Sequence, residues 1–301
     1  MSAPSDSARP WALITGASEG LGKEFAVQMA QRKTHNLILA ARSVDKLNSV
    51  AKSVSDLVEC KVIKSDLSVA GAAEKLDQDT RDLDVALLIN NAGVAFGGPF
   101  EDMEYKDVQS LVAINVVALT ELFHLFLQRI RKQHTKLKEA QKTSSYALSG
   151  IVNIGSMSSF MPIPSMALYA ASKAFVLSLT ESAYAEQRNE GSDLRIVVSC
   201  PGVTKTEIWT KGGANDKGLL LPLDTPQHVC AATLSALDAR NKPVIIPGYF
   251  NNISIASLRI APRSLVRYIS RRMMGQDLSL RDADEVKETF AKLGRSVPTR
   301  S

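Results

Sequence analysis

A repeated alternation of short apolar runs with longer amphipathic stretches constrains this chain more than any other feature. The runs are Trp11–Thr15, Asn36–Ala41, Glu59–Lys64, Asp84–Asn90, Gly150–Ile154, Leu194–Ser199 and Pro243–Pro247. Most are apolar at consecutive positions rather than at every second one, as expected for strands covered on both faces in a parallel sheet. Between them, Leu21–Arg32, Lys106–Arg131, Leu168–Arg188 and Gln227–Ala239 carry an apolar stripe at helical spacing. Repeated β-then-α order with right-handed crossovers predicts an α/β fold. It is doubly wound, with a mainly parallel sheet of about seven strands and helices on both faces.

No internal repeat or linker divides the 301 residues. A single domain is therefore expected over 1–301, with a core of about 11–248 and a C-terminal helical extension of about 251–301. The polar segment Gln133–Ser149 reads as a surface insertion between a helix and the next strand.

Composition narrows the class. Hydrophobic residues make up 45% and charged residues 22%, enough apolar material for a large core. The net charge of +5 comes from basic residues interleaved with acidic ones, which argues against a nucleic-acid partner. Cys60, Cys200 and Cys230 cannot all pair and show no CxxC spacing, so buried thiols in a reducing compartment are expected. The polar N-terminus MSAPSDSARP lacks a signal-peptide pattern, and nowhere do eighteen apolar residues run together. No transmembrane segment and a cytoplasmic location are the expectation.

The first strand runs directly into Thr15-Gly16-Ala17-Ser18-Glu19-Gly20-Leu21-Gly22 and then an amphipathic helix. Backbone N–H groups and the helix dipole meet there, and missing side chains let a pyrophosphate approach. The second strand ends Leu39-Ala40-Ala41-Arg42, about where a bound adenosine ribose should lie. An acid there would bind the ribose hydroxyls and repel a 2′-phosphate. Arg42 can instead grip that phosphate, so NADP(H) is expected over NAD(H). The alternative is a surface arginine that only ends the strand.

Tyr169 and Lys173 fall four residues apart, on one face of the helix expected over Leu168–Arg188. Bringing a phenol from its reference pKa to neutrality needs roughly 4 kcal/mol of preference for phenolate. An ammonium ~4 Å away supplies on the order of 4 kcal/mol at an effective dielectric near 20. Tyr169 could thus exchange a proton with a carbonyl or alcohol oxygen. Ser156 follows the strand Gly150–Ile154, at the C-terminal edge where doubly wound folds bind ligands. Asn90-Asn91-Ala92-Gly93 ends another strand at the same edge, as a close cofactor approach or a plain turn. Asn115 interrupts the apolar run Leu111–Val117, either holding a helix bend or positioning a relay water.

Taken in order, Thr15–Gly22, Asn90–Gly93, Asn115, Ser156, Tyr169 with Lys173, and Pro201-Gly202-Val203-Thr204-Lys205-Thr206 make the chain resemble the short-chain dehydrogenases/reductases. The likeness runs from about Trp11 to Thr206, more loosely to Pro247, and the TGxxxGxG spacing is similar to the compact single-domain, Rossmann-like branch. It implies that Tyr169 is the acid/base, that Lys173 lowers its pKa and holds the nicotinamide ribose, that Ser156 orients the carbonyl, and that Asn115 keeps a relay water. It further implies cofactor contacts from Gly16, Ser18, Glu19, Gly20, Leu21 and Gly22, and from Asp66 and Leu67, with Asp66 on the adenine. Asn91, Ala92 and Gly93 belong to the same implied set, as do Pro201, Gly202, Val203, Thr204 and Thr206, with Thr206 near the carboxamide or pyrophosphate. Thr204 departs from the family's usual Val or Ile. A homodimer or homotetramer is also implied.

The stretches Val94–Phe96, Phe160–Pro164 and Ile208–Leu221 are largely apolar. They suit a lipophilic carbonyl or alcohol, such as a 3-oxoacyl or steroid-like substrate, unless they only pack a lid. Ile253–Met274 mixes apolar residues with Arg259, Arg263, Arg267, Arg271 and Arg272, and Pro262 should split it into two helices. Cover for the domain or for a neighbouring subunit is preferred there over peripheral contact with an anionic membrane. No clustered metal-ligand motif is present and no G-x-S-x-G elbow surrounds Ser156, so neither a metal nor hydrolase chemistry is expected. The competing reading is a catalytically silent NADP(H)-binding sensor or interaction protein, against which the intact acid/base set argues.

Overall fold

The computed structural model describes residues 9–139, 149–190, 194–204, 223–239 and 242–273, with Glu288 and Ala291 besides. Seven strands form one sheet: β1 (Trp11–Thr15), β2 (Asn36–Ala41), β3 (Cys60–Lys64), β4 (Val85–Asn90), β5 (Gly150–Ile154), β6 (Arg195–Ser199) and β7 (Val244–Ile245). Their order is β3-β2-β1-β4-β5-β6-β7, and every neighbouring pair is parallel. The chain builds outward from β1 to β3, then returns to lay β4 on the other side of β1. That reversal opens a crevice at the C-terminal ends of β1 and β4, where doubly wound sheets bind ligands.

The helices are α1 (Gly20–Arg32), α2 (Val44–Val54), α3 (Ala72–Asp79), α4 (Tyr105–Val112), α5 (Leu119–Glu139), α6 (Ala167–Asn189), α7 (Pro226–Ala239), α8 (Tyr249–Ile260) and α9 (Arg263–Met273). Successive strand residues serve opposite layers, as the pleat requires. Ala12, Ile14, Leu87 and Ile89 pack with Phe25 and Met29 of α1, Leu47 of α2 and Leu234 of α7. Leu13 and Leu88 instead meet Leu76 of α3, Leu122 and Phe126 of α5, and Ala183 of α6. Each such fully buried Leu, Ile or Phe contributes about 1.5–3 kcal/mol, so the strand order is held from both faces.

Two elements differ from the sequence expectation. The helix foreseen as continuous over Lys106–Arg131 is interrupted between α4 and α5 by a π-helical segment, Ala113–Ala118. β7 keeps two residues of the expected Pro243–Pro247, because a proline can accept from the ladder but has no N–H to donate to it. Pro243 O does accept from Val198 N at 2.7 Å.

The stretch Tyr105–Thr135 is long and apolar enough to cross a membrane by length and composition, and 18 consecutive residues within it reach a mean hydropathy of 1.9. Its apolar face is committed to the interior, with Leu111, Ile114, Leu119, Leu122, Phe123, Phe126 and Ile130 all buried. The C-terminal stretch divides as expected around Pro262, and Ile255 of α8 and Val266 of α9 are buried, so both helices turn an apolar face to the domain.

Candidate active site

Side chains at the crevice lock the glycine turn to the end of β4. Thr15 Oγ1 accepts from the N–H groups of Asn91 and Ala92, both at 3.0 Å, and Asn91 Nδ2 donates to Thr15 O at 2.9 Å. Gly16 adopts φ +64°, and a Cβ there would meet Asn91 Nδ2 at 2.9 Å and Ala92 Cα at 3.0 Å. A Cβ on Gly22 would fall 2.2 Å from Gly16 O, so this glycine admits the first turn of α1 beneath the loop. The first turn of α1 bears no acidic side chain and its N-cap, Glu19, makes no side-chain bond to it, which leaves the N–H groups of that turn available to an anion.

A cleft of about 610 Å³ runs from this turn across the ends of β1, β4 and β5. At its far end lie Arg42, Ser43 and Lys46 beside Ser65, Asp66 and Leu67. Lys46 pairs with Glu19 across the mouth at 2.7 Å. Burial alone would raise the Asp66 pKa, but hydrogen bonds from Ser68 and the nearby Arg42 charge outweigh it and hold the carboxyl below its usual range. The glycine cradle, the helix N-terminus and the terminal cations fit a nicotinamide dinucleotide laid along the crevice.

Tyr169, Lys173 and Ser156 line the opposite end. Ser156 is extended, with φ −167° and ψ 162°, and caps the short 3₁₀ turn Met157–Phe160, its Oγ accepting from Ser158 N at 3.2 Å. The Tyr169 hydroxyl hydrogen-bonds the Ser156 side chain. Lys173 donates from Nζ to Ile154 O at 2.8 Å, and its Nζ lies 5.8 Å from the Tyr169 ring centroid.

The electrostatics correct one expectation. Burial pushes the Tyr169 phenol up to about 12, and its hydrogen bond with Ser156 offsets only part of the rise. Burial likewise pulls the Lys173 ammonium down to about 8. The expected phenol brought toward neutrality by its lysine is therefore not what this site produces. Both groups are shielded from water, which disfavours the charged form of each, and the ammonium is turned to a backbone carbonyl. At neutral pH the pair stands as a protonated phenol beside a largely charged lysine.

The Asn115 side chain is bound within the protein. Its Oδ1 accepts from Val94 N at 2.9 Å, and its Nδ2 donates to Val94 O at 2.8 Å and to Ser172 Oγ at 3.2 Å. Both amide donors are thus spent on protein, and the π segment carries this side chain inward to the strand-end loop. Ser172 Oγ in turn donates to Tyr169 O at 2.7 Å, linking Asn115 to the helix of the tyrosine.

Most expected contacts converge on the one cleft. Gly16, Ser18, Glu19, Gly20, Leu21, Arg42, Asp66, Leu67, Asn91, Ala92, Gly93, Pro201, Gly202 and Thr204 line it. Gly22 supports the turn from beneath. Val203 is not on the wall, and its carbonyl accepts from Asp224 N at 2.9 Å. Thr206 and the apolar stretch Ile208–Leu221 lie outside the described residues. The hydroxyl of Thr204, the departure from the family pattern, is satisfied locally by Gly202 O at 3.1 Å.

Val94, Ala95 and Phe96 do form the cleft wall near Tyr169, whereas Phe160–Pro164 do not border it. Instead Leu111, Met166, Ile163 and Leu168 gather with Ala95 and Tyr169 into an apolar cluster. Sequence reasoning missed Lys46, although its place one helical turn beyond Arg42 was a usable signal. It also missed Asp107 and Ser110 of α4 and Ile114 of the π segment, all of which line the cleft.

Comparison with known proteins agrees with this geometry. A profile of the family described as short chain dehydrogenase matches residues 10–217. The very-long-chain 3-oxoacyl-CoA reductase of Scheffersomyces stipitis is 30% identical over 237 residues, covering 77% of this chain and 64% of that relative. The chain therefore spans less than two thirds of that curated relative's length. A short-chain dehydrogenase from Sphingobium yanoikuyae, solved in complex with NADPH, superposes with a TM-score of 0.68 at 28% identity, over 84% of this chain and 97% of the other. A 7beta-hydroxysteroid dehydrogenase superposes with a TM-score of 0.71 at 25% identity, over 87% of this chain and 96% of the other.

Proposed function

Because this chain belongs to the short-chain dehydrogenase/reductase family of nicotinamide-dependent oxidoreductases, we propose that it is an NADP(H)-dependent reductase of a lipophilic ketone, of the 3-oxoacyl or steroid-like class. One observation carries the reading. A buried, protonated Tyr169 bonded to Ser156 shares a single cleft with a glycine cradle at one end and apolar walls at the other.

When bound, a reduced nicotinamide supplies the hydride. Ser156 Oγ and the Tyr169 hydroxyl converge on the position a substrate carbonyl oxygen would occupy. The phenol donates its proton to that oxygen as negative charge develops on it. Lys173, anchored on Ile154 O, keeps positive charge beneath the phenol and offsets the phenolate left after transfer. A phenol that burial keeps protonated at neutral pH is in the form that reduction uses.

Arg42 and Lys46, at the end remote from Tyr169, support a 2′-phosphorylated cofactor, since both can make charge-assisted bonds to it. The apolar residues Val94, Ala95, Phe96 and Ile114 support a substrate with hydrocarbon beside its carbonyl. The names of the 3-oxoacyl-CoA and hydroxysteroid relatives point the same way.

The test is oxidation of NADPH and of NADH, followed by absorbance with 3-oxoacyl-CoA thioesters of increasing chain length, 3-ketosteroids, 7-ketosteroids and small polar aldehydes. The proposal expects faster turnover with NADPH and a rate that rises with apolar bulk. Preference for the polar aldehydes would overturn the substrate class, and preference for NADH would overturn the cofactor.

A further inference from the structure

Beneath the reacting side chains, one hydroxyl joins three segments of the fold. Ser159 lies in the 3₁₀ turn after β5 and is buried. Its Oγ accepts from Ser156 N at 3.3 Å and donates to Lys173 O at 2.8 Å. It is also in hydrogen-bonding contact with Cys200, the residue that follows β6. A serine hydroxyl offers one donor and two acceptor sites. With the proton given to Lys173 O and an acceptor site taken by the Ser156 amide, the hydroxyl is held from both sides.

From the geometry we infer that Ser159 is a positioning residue that sets the active-site serine and lysine relative to one another. Lys173 is held at both ends, its Nζ on Ile154 O and its main-chain carbonyl on Ser159 Oγ. Both partners belong to the segment that carries Ser156, so the end of β5 and helix α6 move as one body. The Ser156 amide bond fixes the backbone from which the Ser156 Oγ reaches Tyr169. Ser159 lines no part of the cleft, so its effect on the reaction passes through Ser156 and Lys173. This inference rests on the reductase reading above.

The test is a double-mutant cycle with Ser159→Ala and Ser156→Ala, read as kcat for NADPH-dependent reduction of a long-chain 3-oxoacyl-CoA. Amide hydrogen exchange of Ile154–Phe160 is measured in parallel. Ser159→Ala should lower kcat by about tenfold in the wild-type background and by less than about twofold once Ser156 is alanine, because coupled residues act non-additively. Ser159→Thr, which keeps the hydroxyl, should restore most of kcat. Exchange at Ile154–Phe160 should quicken by about tenfold in Ser159→Ala while the amides of β1 and β4 stay as they were.

Equal losses of kcat in both backgrounds, or unchanged exchange at Ile154–Phe160, would overturn the inference and leave the reductase reading standing. Full activity of Ser156→Ala itself would instead break the reductase reading. A chain that reduces none of the ketones leaves the exchange measurement to decide the role of Ser159.

Discussion

Lys173 Nζ donates at 2.8 Å to the carbonyl of Ile154, the last residue of β5, a contact spanning 19 positions of sequence. The lysine thereby ties the tyrosine's helix to the strand that carries Ser156. Its ammonium bears a desolvation cost to do so, which lowers its pKa from 10.5 to about 8.

That cost makes stability depend on pH. Between pH 8 and 10.5 the unfolded chain holds a proton on this lysine that the folded chain has released, so stability rises with pH across that window. The full change is about 3 kcal/mol. The stability of the wild type relative to Lys173→Met should therefore improve as pH goes from 7.5 to 10, followed by chemical denaturation of both. A difference that stays constant with pH would contradict the buried-lysine assignment.

Asn115 makes three hydrogen bonds inside the protein, and Asn115→Leu removes them all. The N–H and C=O of Val94 are then left without those partners. The loss should cost roughly 2–5 kcal/mol, read as a fall in melting temperature of roughly 5–15 °C. Asn115→Leu melting within about 2 °C of the wild type would show that the π segment does not depend on this side chain.

Arg42 is expected to contact the 2′-phosphate of the cofactor directly. Arg42→Ala should weaken NADPH binding by about tenfold to a hundredfold and leave NADH binding within about twofold, measured by quenching of intrinsic fluorescence. Equal weakening of both cofactors would place Arg42 outside that contact.

Much of this arrangement was legible in the residues. β1, β2 and β5 occupy the expected ranges because their apolar runs are bounded by turn-forming residues or a polar end. The four-residue spacing of Tyr169 and Lys173 correctly put both on one face of α6. The partner of the lysine was hidden, because Ile154 O belongs to another element. The direction of the Tyr169 shift was misjudged for a related reason: burial outweighs the hydrogen bond with Ser156, and burial follows from packing around the site. The π segment was legible only as a possible bend at Asn115, because the backbone partner of that amide lies 21 positions away. Ser159 reads in sequence as one more small polar residue in a turn, and its three contacts exist only in the folded chain.

The raised phenol also predicts how rate varies with pH. Oxidation of an alcohol needs phenolate, which grows about tenfold for each pH unit below the pKa of about 12. The oxidative rate should therefore climb between pH 7 and 9, while ketone reduction, which uses the phenol, loses nothing to ionisation of Tyr169 there. Steady-state assays in both directions check this, and an oxidative rate that is level from pH 7 would place the phenol pKa below that range.

Tyr169→Phe, assayed for both NADPH binding and ketone reduction, reaches the proposed chemistry most directly, since it removes one hydroxyl and keeps the ring. Loss of proton donation should reduce kcat by about 10²–10⁴-fold, with the NADPH dissociation constant unchanged within about threefold. A variant that still reduces ketone within about fivefold of the wild-type rate would contradict Tyr169 as the proton donor.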